Sequence, residues 1–125
     1  LGLPHPPCAV WGEEAPPPFP VAAKALHAQI AHKTDIGGVV LRLGDDAALA
    51  AAAARIRANV ARHRPELGEV PILVQSMATG LGEALLGFRR DPQVGPVILL
   101  AAGGTLAEVW RDRAVRMAPV TLEDA

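Results

Sequence analysis

The side chains best suited to chemistry in this 125-residue chain lie close together: Lys24, His32, Lys33 and the pair Gly37-Gly38. The two lysines supply mobile positive charge, and the histidine supplies a group that titrates near neutrality. A glycine pair lets the backbone reach positive φ and bring its N–H groups up to an anion. The combination suits a loop that handles phosphate. The same Gly-Gly, standing before the β-branched run Val39-Val40, also reads as a plain turn into a strand. Spacing alone leaves both readings open.

These residues need elements to position them. Phe19 to Leu26 is apolar apart from Lys24, the pattern of a strand that presents one cation on a chosen face. Residues 27 to 38 form the loop, and Val39 to Leu43 reads as a second strand, paired with or next to the first. A helix follows, capped by Asp45 or Asp46, with Leu49, Ala53, Ile56 and Val60 as its apolar stripe and an end before Pro65. Arg55, Arg57, Arg62 and Arg64 gather toward its C-terminal half, where cations favour the helix dipole. A solvated face explains them, with an anion site as the alternative.

Val70 to Met77 reads as a strand with its proline near the start. Residues 78 to 82 form a flexible link. Glu83 to Arg89 reads as a strand, residues 90 to 95 as a turn, and Pro96 to Ala102 as a buried strand. A strand or short helix through Trp110 and a last strand from Arg113 to Val120 complete the pass. Seven of the twelve prolines fall within the first twenty residues, which excludes a helix there and leaves only Cys8 to Trp11 as a short strand. The predicted fold class is α+β, with two unequal lobes and mainly antiparallel sheets. Residues 1–77 are expected to form one lobe, with its proline-rich start, and residues 78–125 to begin the other.

Composition narrows the function further. With 12 basic and 13 acidic residues, the net charge of −1 gives no long-range field for DNA or RNA, so no nucleic-acid partner is expected. The single cysteine, Cys8, excludes an internal disulfide and fits a reducing compartment. No apolar run approaches the roughly 20 residues that span a bilayer, and the N-terminus lacks a secretory pattern. A cytoplasmic location without membrane attachment is the expectation. The first residue is Leu rather than Met, so the chain is expected to start inside a longer natural sequence or to have been trimmed. With only Trp11, Phe19, Phe88 and Trp110 as aromatics, the core must be built from Leu, Val, Ile and Ala.

Several strings, in this order, carry a resemblance: Pro20-Val21-Ala22-Ala23-Lys24, Ile30-Ala31-His32-Lys33-Thr34-Asp35-Ile36-Gly37-Gly38-Val39, Val74-Gln75-Ser76-Met77, Asp91-Pro92-Gln93-Val94-Gly95-Pro96-Val97, Gly103-Gly104 and Arg116-Met117-Ala118-Pro119. They resemble the ATP-grasp domain of NDP-forming acyl-CoA synthetases, the acetate:CoA ligase (ADP-forming) type. The resemblance implies a partial ATP-grasp fold that binds ATP or ADP with Mg²⁺ between its lobes. It implies exchange of phosphate with a histidine on a CoA-binding domain or subunit not in this chain. Lys24 matches a lysine that contacts ATP phosphates, with Lys33, Gly37 and Gly38 on the phosphate-side loop. His32 matches a loop histidine placed near the phosphates as a relay, and neutral imidazole is a nucleophile able to form a phosphoramidate.

By the same resemblance Val74, Gln75, Ser76 and Met77 form the hinge that reads adenine, with Met77 packing on its face. Glu83 orients the nucleotide or accepts from ribose. Glu108, Asp112 and Arg116 lie where the second lobe approaches the phosphates, and Arg116 is the candidate for charge stabilisation of the transferring phosphoryl group.

The sequence departs from the pattern twice. Glu13-Glu14-Ala15-Pro16-Pro17-Pro18 occupies the place of a helix, and three prolines in a row cannot form one. The family's Asn-Pro and aspartate motif, which holds magnesium, lies past the position of Ala125, so the metal ligands are expected outside this chain. The chain alone is therefore expected to bind nucleotide rather than turn it over. The alternative from a different class is a degenerate ATP-grasp remnant acting as a structural or regulatory binding module. The acyl substrate and the oligomeric state are not legible in the sequence.

Overall fold

The computed structural model describes residues 4–104, 112–121 and 123. The expected element through Trp110, with Glu108, lies outside the described residues. The chain divides into two compact units, Leu1–Ala78 and Thr79–Ala125.

In the first unit four strands form one antiparallel sheet in the order β1-β4-β2-β3: β1 (Cys8–Val10), β2 (Val21–Ala25), β3 (Val39–Leu43) and β4 (Ile72–Ser76). Strands β3 and β4 flank β2 and both run antiparallel to it. They are joined by helix α1 (Asp46–His63) and a 3-10 turn, Pro65–Leu67. Of the two cap candidates it is Asp45 whose side chain accepts from the Ala48 N–H, at 2.7 Å. Leu49, Ala52, Ala53, Ile56 and Val60 are the buried face of α1. Strand alternation sends Val21, Ala23, Ala25, Ile72 and Val74 into the same core. Leu49, Ile56 and Val60 are fully buried, and each contributes about 1.5–3 kcal/mol relative to exposure. The five residues from Ala50 to Ala54 are all alanine, which favours the helix intrinsically, and Ala52 and Ala53 fill little space in the core.

The β2–β3 register shifts between Val21 and Ala23, and on the facing strand Arg42 takes φ 59°. That irregularity is a bulge at the sheet edge. The proline-rich start is not helical. It runs beside the end of β4, where the Ser76 N–H donates to Pro7 O at 3.0 Å, the Ser76 hydroxyl to Pro18 O at 2.7 Å and the Met77 N–H to Pro20 O at 2.9 Å.

The second unit is a three-stranded antiparallel meander of β5 (Ala84–Asp91), β6 (Gly95–Ala102) and β7 (Arg113–Met117). Asp91 pairs with Gly95 across a three-residue loop. The Asp91 carboxylate accepts from the Gln93 and Val94 amides at 2.9 and 3.2 Å, Pro92 presets the turn, and Gly95 takes φ 85°. The strand expected to be buried, Pro96 to Ala102, forms but is only partly covered, and Leu100 is 53% exposed. Among the described residues of this unit none is buried, and the apolar side chains of its strands are partly or largely exposed. Among the described residues no helix is long and apolar enough to cross a membrane.

Candidate functional site

Lys24 stands on the face of the first sheet that points away from α1. Its neighbours Ala23 and Ala25 belong to the core, and alternation turns Lys24 the other way. Register sets Lys24 opposite Leu73 and Ala22 opposite Gln75, so Gln75 shares that face one step along β4. The Lys24 ammonium donates to Gln75 Oε1 at 2.8 Å, and both residues are half-buried. On the outer side of β4, Cys8 lies opposite Gln75 and is exposed. The ion pairs among the described residues are Arg57 with Glu69 and Arg64 with Glu66, so Lys24 has no carboxylate counter-ion among them. A partly desolvated ammonium held only by a neutral amide favours an incoming anion.

The loop after β2 is anchored by Ile30, which is 3% exposed. Lys33 reaches back to donate to Ile30 O at 3.1 Å, while His32 is exposed. The glycine pair follows the turn reading of the sequence. The Gly37 amide donates to Thr34 O at 3.0 Å and the Gly38 amide to Lys33 O at 2.7 Å, so the N–H groups expected to face an anion are taken up inside the loop. Gly37 takes φ 63°, and a Cβ there would stand 2.6 Å from Asn59 Nδ2. At Gly38 a Cβ would stand 2.9 Å from Lys33 O. Gly37 is favoured as glycine by its positive φ and Gly38 by the backbone oxygen that occupies the space of a Cβ.

At the end of β4 the Ser76 and Met77 amides, expected to read an adenine edge, are also engaged, by the proline-rich segment. Gln75 is the hinge residue whose side chain meets another candidate, Lys24. In the second unit the Glu83 carbonyl accepts from the Gly103 amide at 2.7 Å, just before β5. Arg116 on β7 is exposed, lies opposite Ile98, and donates to the adjacent Val115 O at 3.0 Å. Ile98 in turn faces Phe88, five positions along from Glu83, or about 17 Å of strand. The structure therefore joins Lys24 to Gln75 and keeps Glu83 and Arg116 apart. Asp112 is exposed, and its carbonyl accepts from Ala102 N–H at 3.3 Å.

Sequence reasoning missed Asn59. Its side-chain amide donates to Gly37 O at 3.0 Å from 22 residues away, and its carbonyl accepts from Arg62 Nη2 at 3.0 Å. It is half-buried beside the Ile56–Val60 stripe, and its contact with Gly37 has no local signal in the sequence. Among the described residues no three His, Cys, Asp or Glu side chains gather to hold a metal ion. Magnesium is therefore assigned to none of them.

A family model described as an ATP-grasp domain matches residues 14–125. Acetate–CoA ligase (ADP-forming) I of Archaeoglobus fulgidus is 38% identical over 107 residues, covering 86% of this chain and 16% of that protein. The beta subunit of acetate–CoA ligase (ADP-forming) I of Pyrococcus furiosus is 34% identical over 107 residues, covering 86% of this chain and 46% of the subunit. Among solved structures, the dinucleotide-forming acetyl-coenzyme A synthetase 1 of Ca. Korarchaeum cryptofilum superposes with TM-score 0.70 at 30% identity, over 98% of this chain and 54% of that one. That structure is described as a complex with coenzyme A and Mg-AMPPCP, its phosphohistidine segment pointing towards the nucleotide binding site. The chain spans less than half the length of both relatives.

Proposed function

The chain belongs to the ATP-grasp domain family, and from that premise we propose that it is the nucleotide-binding part of an ADP-forming acyl-CoA synthetase. The observation that carries this is the Lys24–Gln75 pair: an ammonium on the face of the sheet away from α1, hydrogen-bonded at 2.8 Å to a neutral amide. In this reading Lys24 meets the nucleotide phosphates, Gln75 orients it, and Ser76 and Met77 line the base. In the same reading residues 1–77 are the small lobe, and residues 78–125 begin the second, to which Glu83 and Arg116 belong. The Lys33–Gly38 loop presents His32 to the phosphates. Bound Mg·ATP supplies the phosphoryl group, and the acceptor is a histidine of a CoA-binding domain or subunit. Support for that partner comes from the CoA ligase relatives and from the phosphohistidine segment of the Korarchaeum protein.

Calorimetry with Mg·ATP and Mg·ADP tests the reading. The chain should bind, and Lys24→Ala should weaken binding at least about tenfold, the usual scale of a lost charge-assisted phosphate contact. No heat at millimolar nucleotide from a folded protein would end the proposal.

A second reading, a remnant that serves as a structural or regulatory binding module, is favoured by the engaged amides of Gly37, Gly38, Ser76 and Met77. Labelled ATP incubated with the chain and a CoA-binding partner separates the two. Only the first reading puts label on a histidine.

A further inference from the structure

We propose that Asn59 is the positioning residue for the loop that carries His32. The proposal rests on the nucleotide-binding reading and adds a residue on α1, outside every motif that suggested it. Asn59 Nδ2 donates to Gly37 O at 3.0 Å, and Arg62, one turn further along the helix, donates from Nη2 to Asn59 Oδ1 at 3.0 Å. A guanidinium only donates and a backbone carbonyl only accepts, so the two contacts together fix which way the amide points. Flipping it would set donor against donor and acceptor against acceptor.

The receiving side is shaped for the contact. Gly37 adopts φ 63°, which strains any other residue, and a Cβ there would stand 2.6 Å from Asn59 Nδ2, so the absence of a side chain leaves the amide its place. Its own N–H donates to Thr34 O, and the next amide, Gly38, donates to Lys33 O. A tie at the Gly37 carbonyl is thereby transmitted through two short hydrogen-bonded turns to Lys33 and Thr34, the residues that follow His32. At the other end of the loop Arg64 Nη1 donates to Gln29 O at 3.0 Å. Asn59 in the last turns of α1 and Arg64 just after its end hold the loop on either side of His32, which is exposed.

Asn59→Asp is the discriminating variant. It keeps the shape and the Arg62 contact but turns the donor facing Gly37 O into an acceptor. Amide hydrogen exchange at Gly37 and Gly38 should quicken by about tenfold or more, with β2, β4 and the middle of α1 unchanged. Asn59→Ala, which only removes the donor, should do the same if the aspartate folds poorly. With the CoA-binding partner present, Mg·ATP affinity should stay within about twofold while phosphoryl transfer slows by at least about tenfold, since placement of His32 and not grip on the nucleotide is disturbed. Unchanged exchange at Gly37 and Gly38 in both variants overturns the proposal. So does an equal loss of affinity and transfer, which a general loosening of the fold would give. If the unaltered chain binds no nucleotide, the functional reading fails on its own, and the exchange comparison still decides the role of Asn59 in holding the loop.

Discussion

Asp91 carries one carboxylate that closes the β5–β6 hairpin, and its acidity records the fact. Hydrogen bonds from the Gln93 and Val94 amides, with a smaller contribution from the charge of Arg89, hold its pKa below the ordinary aspartate value. The unfolded chain therefore takes up this proton more readily than the folded one. The stability contributed is fully present above the ordinary aspartate pKa and is lost as pH falls through the lowered folded value. The Gln93 and Val94 amide resonances should accordingly titrate at a pH below that of a free aspartate, and Asp91→Asn should abolish the step. A midpoint at or above the free value would count against the turn. The sequence made this residue legible because Asp-Pro-x-x-Gly is a turn in its own right. Lys24 was legible for a similar reason, as the one charge in an apolar strand. Asn59 was not, because its partner Gly37 is distant in sequence and no local pattern links them.

Helix α1 was readable almost entirely, since capping by Asp45 and a 3.6-residue stripe are local signals that its packing then reinforces. Ile56, fully buried at the middle of that stripe, should be among the costliest positions to truncate: Ile56→Ala is expected to lose about 2–5 kcal/mol in urea denaturation, with an unchanged m-value. A loss below about 1 kcal/mol would mean that the helix does not seal this core. Strand β6 shows the limit of the same reasoning. A continuous apolar run predicts a strand correctly, but whether it is covered depends on partners that the run cannot specify. The proline-rich segment shows another limit. Proline content excluded a helix, yet the use of Pro7, Pro18 and Pro20 carbonyls to hold Ser76 and Met77 depends on a long-range approach.

Across the whole molecule the two units differ in what stabilises them. The first encloses a core of Leu, Ile, Val and Ala, as the scarcity of aromatics required, while the second has no buried side chain among its described residues, with Leu86 66% and Phe88 69% exposed. Hydrogen exchange should divide along this line, with amides of β2 and β4 protected by at least about 100-fold more than those of β5 to β7. Equal protection in the two units would show that the meander is stabilised by something other than its own packing. One further property of the chain follows from Cys8, its single thiol, which is exposed and stands across the strand pair from Gln75. A maleimide fluorophore would attach there and nowhere else, without any mutation, beside the face that bears Lys24. The unaltered polypeptide thus comes with its own optical reporter for whatever settles on that face.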